Sequence, residues 1–409
     1  MSPRPAGRRV PLRSRWAQLL ATCLLLTACS RGGGGDGGAA ADGDPLDLRA
    51  VCPAVVTIQT DFNPESEYGA TYNLLGAKYT VDDRRKTVRG PLLADDRDTG
   101  VEVEIRAGGP AVNFTDPGEL LYKDPSITLG FVSTDSQIAQ YAKYPTLSVV
   151  APMSINPQIL MWARDKHPEL MSVANLSDSS PERSAAKLPN GKTPIVTFKG
   201  ATYAQYLVTT GIIGKEQWEE KYDGTDAAWI ASGGTIIQQG FRSSEPYLYE
   251  KKFHTKIDWI LVFDMRYKVY TQTLGIRSAD KARLAPCLTK LVPIVQRSQV
   301  AFLRDPARAN ALIVALAARP KWKQDTGWDY PADLAAYSVA AQKAEGLITV
   351  DRQSRVGLFD MDRVALAQSE VQLAFNAQSP RVPYKPGITP ADLATNEFID
   401  LSVRLPPAI

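Results

Sequence analysis

The chain has 409 residues, 44% hydrophobic and 22% charged, a globular composition long enough for two domains of ordinary size or one large two-lobed body. A formal net charge of +3 gives no basis for nucleic acid as a partner, and the only histidines, His167 and His254, have no second ligand at the spacing zinc sites use, so neither metal nor cofactor is expected. No Gly-x-Ser-x-Gly elbow is present, which removes that class of hydrolase.

In chain order, the first element is a targeting segment. Arg4, Arg8, Arg9, Arg13 and Arg15 precede an apolar run over 16–26 that is too short to span a bilayer permanently. Leu26-Thr27-Ala28-Cys29 resembles the lipidation site of bacterial lipoproteins. That resemblance implies removal of 1–28, a diacylglycerol thioether on Cys29, and a mature protein anchored on the outer face of the cytoplasmic membrane. Arg8-Arg9 leaves general or twin-arginine export open. Residues 29–49 are glycine-rich, and a flexible chain of that size spans roughly 25 Å, enough to hold a folded body off a lipid surface.

The body begins with Val55-Val56-Thr57-Ile58-Gln59, a buried strand running into the turn Asp61-Phe62-Asn63-Pro64, after which Tyr68, Tyr72, Leu75 and Tyr79 recur at helical spacing. Further strands are expected at 101–105, before Gly108-Gly109-Pro110, and at 127–131. The Asp- and Arg-rich stretch 80–100, with Pro91, reads as a solvated excursion. Apolar runs at 146–151 and 258–263 flank a self-contained segment with a helix at 203–210 stopped by Gly211 and a strand at 235–240. Helices follow at 280–303, interrupted near Pro286, and at 306–318, 332–345 and 361–375. Residues 379–409, with six prolines, read as an extended surface tail.

Alternation of strands and helices gives the α/β class with mostly parallel sheets. The segment flanked by two crossings is wired as a two-lobed clamp: lobe I from 50–148 and 264–378, lobe II from 149–263, and the crossings as hinge. Cys52 and Cys287 remain after the leader and the lipid site are set aside. An exported pair is a disulfide candidate, although Cys287 also fits as a small buried residue among Leu284, Leu288, Leu291 and Val295.

Three signatures resemble the type II periplasmic binding proteins of ABC importers, in the subfamily that binds thiamine pyrimidine precursors, aliphatic sulfonates, taurine and nitrate. They are the run from Gln59 to Gly69, Gly108-Gly109-Pro110, and Gln238-Gln239-Gly240-Phe241-Arg242-Ser243-Ser244-Glu245-Pro246-Tyr247. The last is similar to the pyrimidine-precursor group. The resemblance implies a two-lobed fold, a permease and an ATPase as partners, a monomer, no catalysis, and a ligand gripped by Asp61, Phe62, Glu67, Tyr68, Tyr72, Ser133 and Thr134 from lobe I and Tyr203, Gln239, Ser243, Ser244 and Glu245 from lobe II. It also implies a helix starting near Thr134 that aims free N–H groups at the cleft. The matched loops offer aromatic faces and carboxylates with one cation, Arg242, which suits an amino-bearing heteroaromatic better than a sulfonate or nitrate. Tyr72 and Glu67 also fit as a core residue and a helix-start residue. The other readings are a sulfonate, taurine or nitrate ligand, a sensory lipoprotein without an importer, and a pyrimidine-synthesis enzyme on the same fold. The last lacks its cysteine-rich motif here.

Overall fold

The computed structural model describes residues 44–180 and 192–407, so the leader, Cys29 and most of the glycine-rich stretch lie outside the described residues. Val55–Gln59 (β1) is buried on both faces apart from its first residue and pairs in parallel with Arg97–Arg106 (β4) on one side and Leu129–Val132 (β5) on the other. β-branched residues suit such a strand because they pack on both sides of a pleat.

The first sheet has seven strands in the order β2-β3-β4-β1-β5-β12-β6, where β2 is Thr80–Asp82, β3 Thr87–Ala94, β6 Thr146–Val150 and β12 Thr273–Arg277. From the pairings, β3 and β12 run against the other five. Gln158–Ala163 (β7), Ile195–Val196 (β8), Trp218–Glu219 (β9), Ile237–Phe241 (β10) and Ile257–Leu261 (β11) form a second sheet, ordered β11-β7-β10-β8-β9. Helices flank both sheets. The chain passes from the first sheet to the second through 151–157 and returns through 262–272, so the runs expected as crossings are edge strands and the links follow them.

Three further expectations are corrected. The stretch 80–100 belongs to the sheet: β3 and β4 pair from Thr87↔Arg106 to Ala94↔Arg97, with Val88, Leu92, Val101, Val103 and Ile105 buried. Most of its charges are exposed, among them Arg89, which pairs with Glu102, whereas Lys86 is buried and pairs with Asp325. The helix Lys281–Arg304 continues through Pro286 and Pro293. Its Leu284, Cys287, Leu288, Leu291 and Val295 stripe is buried, and packing of that stripe outweighs the lost backbone bonds. The tail is packed, with Leu393, Ala394 and Phe398 buried, Ala394 bridged in parallel to Ser148 on β6, and Gln137 Nε2 donating to Leu393 O at 3.0 Å. It covers part of what would otherwise be a free sheet edge.

Cys52 and Cys287 are joined in a disulfide with Cα atoms 4.6 Å apart, linking the segment before β1 to the long helix. Arg363, near the start of the helix Met361–Ala377, is buried and ties the two links together. Its guanidinium donates to Ser154 O (2.8 Å) and Ser154 Oγ (3.0 Å) on one link and to Lys268 O (2.8 Å) and Val269 O (2.9 Å) on the other. It also lies 3.7 Å over the Tyr270 ring.

Candidate functional site

Two loops interlock at the end of β1. Gly108 N donates to Phe62 O (2.9 Å) and Gly109 N to Asp61 O (2.9 Å), while Thr60 Oγ1 donates to Phe62 O (2.7 Å). A Cβ on Gly108 would fall 2.1 Å from Thr60 O, and one on Gly109, at φ +56°, 2.7 Å from the Phe62 ring. Only glycine allows that approach, so Gly108-Gly109-Pro110 is what fixes Asp61 and Phe62 in place.

Phe62 packs edge-on to Trp328 with centroids 5.2 Å apart, and Trp328 stacks on Tyr330. The Tyr68 hydroxyl donates to Asp61 Oδ1 at 2.9 Å, and the Tyr68 ring stands edge-on to Phe131. Asp61 remains accessible to water, yet protein walls surround it, and that desolvation pushes its carboxyl up to about 6 against the opposing Tyr68 bond. The following loop is pinned from the helices beyond it: Ser66 N donates to Tyr330 OH (3.0 Å), Ser66 Oγ to Asn310 Oδ1 (2.8 Å), and Gln342 Nε2 to Ser66 O (3.0 Å).

On this pinned loop Glu65 and Glu67 are both buried. Glu67 accepts from the Ser243 hydroxyl of the other lobe and from Gln272 Nε2 (3.0 Å) on the second link. Burial pushes the Glu67 carboxyl up to about 7, and burial first, then Glu67, raises Glu65 well above the carboxylate range. Asp61 and Glu245 act on both in the same direction. No lysine or arginine is among the charges acting most strongly on these four groups. Arg242, the cation expected here, is committed elsewhere, with Nε donating to Glu345 Oε1 (2.7 Å) and the guanidinium 4.0 Å over the Trp259 ring.

From lobe II, Gln239 Oε1 accepts from Phe198 N (2.7 Å) and from the Tyr203 hydroxyl (2.9 Å). Glu245 turns back onto its own loop, accepting from Phe241 N (2.6 Å) and the Ser244 hydroxyl. Gly240 makes room for that turn, since a Cβ there would lie 3.0 Å from the Cβ of Glu245.

At the start of the helix Thr134–Gln140, Thr134 N donates to Tyr270 O (2.8 Å) and Ser136 N to Ser133 Oγ (3.4 Å) and Asp135 Oδ1 (3.1 Å), which leaves Asp135 N as the N–H of the first turn without a hydrogen bond among the described residues. Ser133 Oγ itself donates to Asp135 Oδ1 at 2.6 Å. Asp116 lies near the same turn, its carboxyl raised by burial. Tyr72 is a core residue, 1% exposed. Thus Asp61 joins Tyr68, Glu67 joins Ser243, and Tyr203 joins Gln239, while Thr134 bonds the second link and Tyr72, in the core, lies near Glu65.

Sequence reasoning passed over Glu65, Gln272 and Phe198. Glu65 stands inside the first signature, and its alternation with Glu67 was the available signal. Gln272 carried none, because its position matters only through the link it occupies. Phe198 is an exposed aromatic just past β8, packed at a tilt against Tyr222. Surface cavities lie elsewhere, about 580 Å³ among Arg85, Arg89, Arg106 and Arg277 at the start of β1, and about 790 Å³ beside Trp229 and Phe253. Those arginines are mostly spent, Arg106 on Glu104 and Asp124 and Arg277 on Asp280, whereas the polar groups at the lobe junction converge.

No family profile and no curated protein matches the chain. Among solved structures it is similar to the periplasmic aliphatic sulphonate binding protein SsuA from Escherichia coli, with 12% identity, 88% of this chain and 96% of that one covered, and a TM-score of 0.51. The fold is that of a periplasmic binding protein. The chain is also similar, at lower TM-scores, to the periplasmic nitrate-binding protein NrtA from Synechocystis PCC 6803 (11% identity, 81% and 92% covered, TM-score 0.40) and an ABC transporter from Parabacteroides distasonis (11%, 85% and 99%, 0.46). In the binding-protein fold of this chain the two sheets correspond to two lobes, and Glu67, Ser243 and Gln272 meet where they join. No helix among the described residues is long and apolar enough to cross a membrane.

Proposed function

We propose that this chain is an extracytoplasmic solute-binding protein, lipid-anchored at Cys29, that captures a small amino-bearing heteroaromatic between its lobes and delivers it as a monomer to the permease and ATPase of an ABC importer, with no catalytic step. One observation carries the ligand class: Asp61, Glu65, Glu67 and Glu245 act on one another at the lobe junction, and among the described residues no lysine or arginine is one of the charges acting most strongly on them. Desolvated carboxylates that raise one another are relieved by N–H donors, whereas a sulfonate or nitrate adds negative charge where the one nearby guanidinium is already spent. Phe62 and Phe198 supply apolar faces for a flat ring.

Calorimetry against a 4-aminopyrimidine, taurine, an alkanesulfonate and nitrate tests the ligand class. Binding of the aminopyrimidine alone is expected, and tight binding of a sulfonate or nitrate without it would overturn the reading. Metabolic labelling with a palmitate analogue tests the anchor: wild type is labelled and Cys29→Ser is not.

A further inference from the structure

A cavity of about 580 Å³ opens beside Val55 and Thr57 of β1, and none of the residues that meet at the lobe junction lines it. Its wall is built on the first sheet. Arg89 of β3 and Thr57 of β1 both stand opposite Glu104 of β4, and Arg106, two residues further along β4, shares their face. Arg85 on the turn before β3, Arg277 at the end of β12 and Arg283 in the long helix complete the charged lining, which holds five arginines against one carboxylate, Glu104.

The other counter-charges stand outside that lining. Glu102 accepts from Arg89 Nε (2.8 Å), Asp124 from Arg106 Nη1 (2.7 Å), and Asp280 from Arg277 Nε (2.6 Å) and Arg283 Nε (3.3 Å). Each contact fixes a guanidinium and leaves part of its fork of N–H donors unspent. Among the described residues, Nη1 of Arg89 and of Arg283 has no hydrogen-bond partner, and the Arg85 side chain has neither a hydrogen bond nor an ion pair. The Arg85 backbone N–H donates to Asp82 Oδ1 (3.1 Å), which steadies the turn that carries it.

These donors call for an oxyanion. A planar guanidinium fork meets phosphate oxygens two at a time, so several arginines lining one cavity favour phosphate over a singly charged carboxylate. The volume falls in the range of about 300–1,000 Å³ typical of small-molecule sites, larger than a bare phosphate needs.

We propose that this cavity is a second binding site of the protein, which takes a phosphate group carried on an organic molecule. Arg85, Arg89 and Arg283, which keep free donors, bind the phosphate oxygens, while Arg106 and Arg277 keep the wall positive. A soluble phosphomonoester and a phospholipid headgroup share that chemistry. The inference is independent of the ligand class proposed for the lobe junction.

The test is calorimetry of the full chain at about 0.15 M salt, where attraction between exposed charges is largely screened. Glycerol 3-phosphate is the soluble monoester probe, and glycerophosphoglycerol is the deacylated headgroup of phosphatidylglycerol. Saturable binding at one site per chain is expected, and the tighter probe tells which source supplies the phosphate. Arg85→Gln removes an exposed side chain that holds nothing in the fold, so the urea midpoint stays unchanged while affinity falls about tenfold or more. Arg85→Gln combined with Arg283→Gln lowers it about 100-fold or more. Failure of both probes to bind, or wild-type affinity in Arg85→Gln and in the double variant, overturns the proposal.

Discussion

Ser243, on the loop after β10, donates its hydroxyl to the carboxyl of Glu67, on the loop after β1, and both side chains are buried at the junction of the lobes. Their separation along the chain is 176 residues, so the bond exists only when the lobes are together.

Ser243→Ala removes that bond and leaves the fold of each lobe intact. A hydrogen bond of this kind contributes about 1–3 kcal/mol, so affinity for the ligand falls roughly tenfold, because the closed state is less populated. Calorimetry measures the loss, and small-angle scattering reports a larger radius for the variant at equal ligand concentration. An unchanged affinity and radius would show that the bond takes no part in closure.

Arg363→Met strips four acceptors on the two links of their donor. Leaving buried carbonyls unpaired costs about 3 kcal/mol or more, read as a lower urea midpoint. Arg363→Lys recovers little, since a single ammonium lacks the planar fork that reaches both links.

Reduction of Cys52–Cys287 lowers stability by about 2–5 kcal/mol, the range expected for opening a long loop. The two cysteines are 235 residues apart in sequence. Alkylation followed by intact mass under non-reducing conditions shows neither thiol free in the secreted protein.

Several carboxyls are held above their ordinary values, each mainly by loss of solvation: Glu370 and Glu67 at about 7, Asp61 at about 6, and Glu65 well above the carboxylate range. The folded state therefore keeps protons that the unfolded chain has already released. Stability falls as pH rises from about 4.5 through about 7, and Glu65 extends the decline above that. Urea midpoints measured from about pH 5 to about pH 8 trace the decline. Glu370→Gln, which removes one of these groups, makes it shallower.

Much of the fold was legible in the sequence, because its signals are local. The β-branched run of β1, the heptad-like stripe of the helix Lys281–Arg304 and the glycines of Gly108-Gly109-Pro110 each announce a conformation through their immediate neighbours. The hairpin β3–β4 was hidden because a strand with one solvated face carries charges such as Arg89 and Glu102 on that face, and their density outweighs the alternating apolar residues beneath. Pro286 suggested a break that burial of a whole helical face overrode, and the tail looked extended until Leu393 and Phe398 found a surface to cover.

At the site, the residue types were readable, and the aromatics and carboxylates of the loops after β1 and β10 stood in the signatures themselves. Which of them meet was not. Whether Glu65 faces Glu67, whether Gln272 reaches them, and whether Arg242 turns to Glu345 are outcomes of packing between elements far apart in sequence. Sequence determined the chemical groups available. Tertiary structure decided their charge state, because desolvation and repulsion act between neighbours in space.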